Sequence, residues 1–136
     1  MPDPSGKVAL AEAFDAIREH WSPHVVAALN GQHVKLARFR GAFVWHRHDD
    51  ADELFLVHRG RFRMEFRDRV VELGPGELLV VPRGVEHRPV ADDEVEVLLF
   101  EPAGTTNTGT AAEALPAHIA TTAGRTLDGT LDGRDV

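Results

Sequence analysis

The chain has 136 residues, 43% of them apolar and 27% charged, which is enough for one globular domain and too little for two. Fifteen Lys and Arg against 22 Asp and Glu leave a formal charge of −7, the wrong sign for a protein that neutralises phosphates, so nucleic acid is not an expected partner. With no cysteine, disulfides, thiolate nucleophiles and Cys-ligated metals are excluded, and any metal chemistry must use His and carboxylates.

Along the chain, Leu10, Phe14, Ile17 and Trp21 fall at helical spacing, which predicts a helix that starts at a Ser5 cap and ends at Ser22-Pro23. From His24 the helical period is replaced by short apolar runs between turn signals. Strands are expected at His24–Leu29, His33–Arg40, Ala42–His46, Glu53–His58, Arg61–Phe66, Val70–Leu73, Glu77–Val81, His87–Val90 and Val95–Glu101. Asn30-Gly31 is a hairpin dipeptide, and Arg59-Gly60, Gly74-Pro75-Gly76 and Pro82-Arg83-Gly84 mark further turns. Short strands at this spacing predict an all-β sandwich or barrel. A weak helical signal covers Ala111–Leu115, and Asp128–Val136 is polar enough to be disordered. The expected organisation is an N-terminal helical segment 1–22, a barrel 23–103 and a partly irregular extension 104–136. No run approaches the roughly 20 apolar residues of a membrane span, and the polar Met1–Lys7 start has no long apolar segment behind it. The expectation is a soluble, unexported, cytoplasmic protein with no membrane partner.

Strand alternation aims His46 and His48 at one face together with Val44, while Phe43, Trp45 and Arg47 point away. Glu53 opens the next strand after the acidic turn Asp49-Asp50-Ala51-Asp52, and His87 follows the Pro82-Arg83-Gly84 turn, so both are candidates for the same layer. Three imidazoles and one carboxylate suit Fe, Mn, Ni, Cu or Zn and leave room for water or substrate. Phe55 and Val57 follow Glu53 inward, and Phe62, Met64 and Phe66 share one parity, so Phe55, Phe62, Met64 and Phe66 read as barrel lining and candidate substrate-pocket wall. Arg83 is a candidate for a substrate carboxylate or phosphate at the barrel mouth. His58 has the opposite parity from Glu53 and should face away; His20, His24, His33 and His118 fit no pattern and read as surface residues. Arg59, Arg61, Arg63, Arg67 and Arg69 read as a solvated or dimer-contact face.

The order Gly41, His46-x-His48, Glu53, Gly60, then Gly76, Pro82-x-Gly84, His87 resembles the two short motifs of the cupin superfamily. The resemblance covers Val34 to Glu101, about half the chain. It extends, among small bacterial cupins described as mannose-6-phosphate isomerase-like, to Glu101-Pro102-Ala103-Gly104 and Asn107-Thr108-Gly109. It implies a double-stranded β-helix, or jelly-roll, and a homodimer, and it places His46, His48, Glu53 and His87 at the metal ligands of the family. Two departures stand out: four residues rather than five separate Gly41 from His46, and Ala91 stands where the second motif usually has Asn.

The expected function is metal chemistry on a small oxygen-containing molecule, either of the dioxygenase type or of the isomerase or epimerase type. The inward positions legible in the sequence supply no second acid or base, which weighs against the isomerase branch. The alternatives are a noncatalytic barrel that binds or senses a small molecule, and a purely structural barrel without metal. No helix-turn-helix pattern precedes the barrel.

Overall fold

The computed structural model describes residues 6–111 and 113–127. Among these residues one helix, α1 (Leu10–Asp15), precedes nine strands: β1 (His24–Leu29), β2 (Gln32–Ala42), β3 (His46–Arg47), β4 (Glu53–Arg59), β5 (Phe62–Phe66), β6 (Val70–Leu73), β7 (Leu78–Val81), β8 (His87–Pro102) and β9 (Thr110–Ala111). The named strands pair antiparallel with one another. Strands β7, β4, the later part of β8, β2 and β1 lie side by side, and β6, β5 and the first residues of β8 form the other side. The result is the expected all-β jelly-roll barrel.

The β1–β2 hairpin follows from its turn. Asn30 and Gly31 both take positive φ, 51° and 74°, as a two-residue type I′ turn requires, and Leu29 pairs with Gln32. The two expected strands His87–Val90 and Val95–Glu101 are instead one strand, β8. Asp92, Asp93 and Glu94 are exposed where the β2 register shifts between Phe39 and Gly41, so the acidic segment is accommodated as a bulge. Conversely, the expected strand Ala42–His46 is interrupted: β2 runs to Ala42, and residues 43–45 cross irregularly before β3.

The helix is shorter than its apolar stripe. It begins after Ala9, which makes no side-chain cap, and the Ser5 cap lies outside the described residues. Phe14 and Ile17 pack with Leu36 on the outside of β2, whereas Trp21 turns at φ 60° and stacks on Phe39 inside the barrel at 4.5 Å between ring centroids. A helix continued to Trp21 would not reach both faces of the sheet.

The inner core is built from the inward residues of β2, β4, β5 and β8, among them Phe39, Phe55, Phe62, Met64, Phe66, Val95, Val97 and Leu99. The segment after β8 folds back on the barrel. Thr110 and Ala111 pair with Arg47 and His46 as β9, so no helix forms at the described residues of the Ala111–Leu115 signal. Ile119 is buried in the inner core, and Arg125 exchanges backbone hydrogen bonds with Pro23 and Val25. The segment Asp128–Val136 lies outside the described residues.

Candidate metal centre

Three chain segments bring the candidate ligands together. His46 on β3 pairs directly with His87 at the start of β8, and their ring centroids are 4.2 Å apart. The Gly84 backbone N–H donates to the His48 carbonyl at 2.8 Å, which ties the residue after β3 to the turn that delivers His87. Glu53, the first residue of β4, pairs with Val81 at the end of β7, just before the same turn. One potential donor atom from each of His46, His48, Glu53 and His87 lies within 4.8 Å of the others, and all four residues are buried. Donors about 2.1–2.2 Å from one ion are at most about 4.4 Å apart when opposite and closer otherwise, so the four lie near the separations that one shared ion sets.

The imidazoles are oriented by backbone. Carbonyls only accept, so the 2.9 Å contacts of His46 Nδ1 with Val44 O and of His87 Nδ1 with Val85 O make Nδ1 the protonated nitrogen and leave Nε2 free to ligate. His48 Nε2 and His87 Nε2 approach Glu53 Oε1 at 3.3 and 3.5 Å, yet none of these three buried atoms makes a well-aligned hydrogen bond. Buried polar atoms without a partner are costly, and here they converge on one point. That convergence, with nitrogen and oxygen donors of borderline hardness, fits a divalent transition metal. Burial, reinforced by the neighbouring His87, depresses His46 to about 3, so its imidazole is neutral as a ligand must be.

A narrow cavity opens beside the cluster. It is lined by His46 and Glu53, by the aromatic rings of Trp21, Phe39, Phe43 and Phe55, and by Glu101 and Asn107. Of the residues expected at a substrate pocket, Phe55 lines it. Phe62, Met64 and Phe66 are buried in the core away from its lining, and Arg83 is exposed, held to Asp52 by its backbone N–H at 2.9 Å and its side chain at 3.3 Å.

Strand parity misplaced several residues. Phe43 was expected to point away from His46, but its ring lies 5.2 Å from the His46 ring, because residues 43–45 are not in a strand and alternation does not apply to them. His24 and His33 are buried rather than on the surface: His33 pairs with the inward Glu101, whereas His24 pairs with Leu36 on the outer face, with its Nδ1 2.7 Å from the Ser22 carbonyl. His58 does face away, stacked on Phe14 and bonded to Glu96 at 2.9 Å. The basic set is mostly paired at the surface: Arg63 with Glu65 and Asp92, and Arg67 with Glu86 while its guanidinium covers Trp45.

The second acid that the sequence reading missed is Glu101. It is 2% exposed, lines the cavity, and meets Glu53; its Oε1 pairs with the equally buried Lys35 at 3.0 Å. Glu101 Oε2 has no donor among the described residues, and the Glu101 and Glu53 carboxyls interact, a contact that is a hydrogen bond when the two groups share one proton. Burial pushes Glu53 up, but Glu101, His48 and His87 together pull it well below the ordinary carboxylate range. Burial and then the charge of Glu53 raise Glu101 well above that range, with Lys35 opposing. The signal was present in the sequence: Glu101 continues the inward series Val95, Val97, Leu99, and Lys35 lies in the series His33, Ala37, Phe39.

The family model of the cupin domain matches residues 32–101. The uncharacterized protein YdbB of Bacillus subtilis is 34% identical over 73 residues, 53% of this chain; the match spans 65% of that relative, just under two thirds of its length. Among solved structures, a cupin-2 domain containing protein from Shewanella frigidimarina is 40% identical, with a TM-score of 0.71 over 72% of this chain and 96% of that one. A protein from Neisseria meningitidis is 28% identical, with a TM-score of 0.66 over 71% and 98% of the two chains.

Proposed function

The chain belongs to the cupin domain family, and on that premise we propose that it holds one divalent transition metal with His46, His48, Glu53 and His87 and acts on a small oxygen-bearing molecule in the adjoining cavity. The observation that carries this reading is the convergence of buried, otherwise unpartnered His48 Nε2, Glu53 Oε1 and His87 Nε2 atoms beside that cavity.

A bound divalent metal supplies Lewis acidity, polarising a coordinated oxygen of the substrate, and a redox-active one adds electron transfer. The chain's own residues do the rest. Phe43 and Phe55 wall the space next to His46 and His87 and favour a flat or apolar substrate body. Glu101 places a carboxyl in the same cavity that can hold a proton. This second acid supports the proton-transfer branch, isomerisation or epimerisation, that the sequence alone disfavoured.

The test is elemental analysis of untagged protein prepared without chelator, followed by a screen of small oxygen-bearing compounds for product and for thermal stabilisation. About one metal per chain and turnover lost in His46→Ala is the expected result. Iron with dioxygen-dependent turnover moves the assignment to oxygenation. Ligand-induced stabilisation without product moves it to a binding or sensor barrel, and a chain that takes up no metal refutes it.

The homodimer belongs to the same proposal. On the outer face of β4, β7 and β8, Leu54, Leu56, Leu98 and Phe100 are half-buried, and Leu78 and Val80 are 60% and 47% exposed. Cross-strand register makes these residues one contiguous apolar band, which supports burial against a second copy.

A further inference from the structure

Antiparallel register puts three ionisable residues in a row on the inner surface of the barrel. Leu54 pairs with Phe100, which sets Glu53 of β4 beside Glu101 of β8, and His33 pairs with Glu101, which sets Lys35 of β2 diagonally next to it. Each is at most 2% exposed. Lys35 Nζ is fixed at two points, 3.0 Å from Glu101 Oε1 and 2.9 Å from the Thr105 carbonyl that it donates to. The other Glu101 oxygen has no donor among the described residues, and the register sets the Glu101 carboxyl beside that of Glu53. Glu53 in turn presents Oε1 to His48 and His87.

Such a row is expensive as a purely structural device. Desolvating two ions costs several kcal/mol each, and a well-packed apolar pair of similar volume generally serves stability as well or better. Apart from His33, which pairs with Glu101, the surrounding inward positions on these strands, Ala37, Phe39, Phe55, Val57, Val97 and Leu99, are apolar. Lys35 and Glu101 extend in a row from the metal-ligand candidate Glu53.

We propose that Lys35 and Glu101 are positioning residues that brace Glu53 from behind, so that its carboxylate is held toward His48 and His87 before any ion arrives. The inference rests on the reading of the four-residue cluster as a metal site. It adds that the affinity and coordination geometry of that site are set in part by two residues that do not ligate. Loss of an outer partner of a ligand typically lowers metal affinity about 10–100-fold, and that is the range expected when Glu101 is truncated. Glutamine keeps the length of the side chain and carries an amide that donates to the Glu53 carboxylate, so Glu101→Gln should retain most of the affinity that Glu101→Ala loses. Lys35→Met frees Glu101 from its anchor and should weaken binding in the same direction.

Cobalt(II) is the probe, because its visible absorption reports ligand geometry directly. Wild type, Glu101→Gln, Glu101→Ala and Lys35→Met would each be titrated with cobalt(II), with thermal unfolding measured in parallel on the metal-free proteins. The expected result is one cobalt per chain in wild type, a 10–100-fold weaker and spectrally altered site in Glu101→Ala and in Lys35→Met, and near wild-type binding in Glu101→Gln. Folded Glu101→Ala with unchanged affinity and spectrum overturns the brace while leaving the metal site standing. If Glu101→Ala does not fold, Lys35→Met decides, and unchanged binding there overturns the brace. Wild type that binds no cobalt overturns the underlying metal reading, and the brace with it.

Discussion

His46 and His87 are direct partners across β3 and β8, and each is oriented by the same device, an Nδ1–H donated to the carbonyl two residues earlier in the chain. The pair is therefore arranged without an ion, and the metal-free protein should already be folded. His87→Ala is expected to keep the far-ultraviolet circular dichroism of the barrel while losing more metal affinity than the roughly 10–100-fold that follows loss of an outer partner. Isothermal titration with a divalent metal measures this, and wild-type affinity in the variant would remove His87 from the site.

Metal binding should be visible as stability. An ion that binds only the native chain stabilises it by about 2.7 kcal/mol at 100 times its dissociation constant, which for a domain of this size is a rise of several degrees in Tm. Calorimetry with metal and then with excess chelator should move the transition up and back. His46→Ala should show neither shift.

The pH dependence of the metal-free protein has a predicted shape. His46, held at about 3 against an ordinary 6.5, is neutral in the native chain where the unfolded chain is protonated, so its contribution falls as pH drops below 6.5, by about 1.4 kcal/mol per unit. Glu101 has the opposite sign: raised above the ordinary 4.5, it keeps a proton that the unfolded chain has lost, and destabilises as pH rises above that value. Above about 4.5 the two therefore oppose each other. Below it Glu53, held low, adds to His46 and stability falls with acidification. Urea unfolding across pH 3–8 should show this acid limb, and His46→Gln should make it shallower.

Gly109 tests the fit of the returning segment to the site. Its φ is +46°, and a Cβ there would collide with the Arg47 carbonyl and come within 2.7 Å of His48 Nδ1. Gly109→Ala should therefore cost about 1–3 kcal/mol of stability and displace the His48 ring, with a drop of about tenfold or more in metal affinity. A variant that loses stability alone would mean that β3 yields without moving the imidazole.

The apolar band on the outer face gives a prediction about assembly. Among the described residues β7 pairs only with β4, leaving its other edge open, and Leu78 and Val80 are both exposed. Sedimentation should find a dimer for wild type and a monomer for the double variant Leu78→Glu, Val80→Glu, with metal binding retained. A monomeric wild type would refute the homodimer.

Much of this barrel was legible because period-two alternation survives along its strands. The turn dipeptides set the bounds of β1 and β6, and the motif spacing brought His46, His48, Glu53 and His87 to one layer. What was not legible depended on places where the backbone leaves the period. Residues 43–45 cross between strands, so the parity that should have sent Phe43 outward does not operate there. Trp21 shares the helical stripe of Phe14 and Ile17, but a turn at positive φ carries it to the opposite face of the sheet. Lys35 and Glu101 were hidden for another reason: their inward parity was readable, but a charge in a core position is recognised as such only when its partner on another strand is known.

β8 contributes His87 at its first residue and Glu101 near its last, and in between it hydrogen-bonds to β2, β4 and β5. This constrains how the chain can change length. An extra residue in the β1–β2 turn is absorbed at the surface, but one added to β8 after the acidic bulge would turn Val97, Leu99 and Glu101 to the opposite side while His87 stayed where it is. Insertions that lineages of this barrel tolerate should accordingly collect in the hairpin ends and in the bulge, and be missing from the stretch that joins the ligand to its brace.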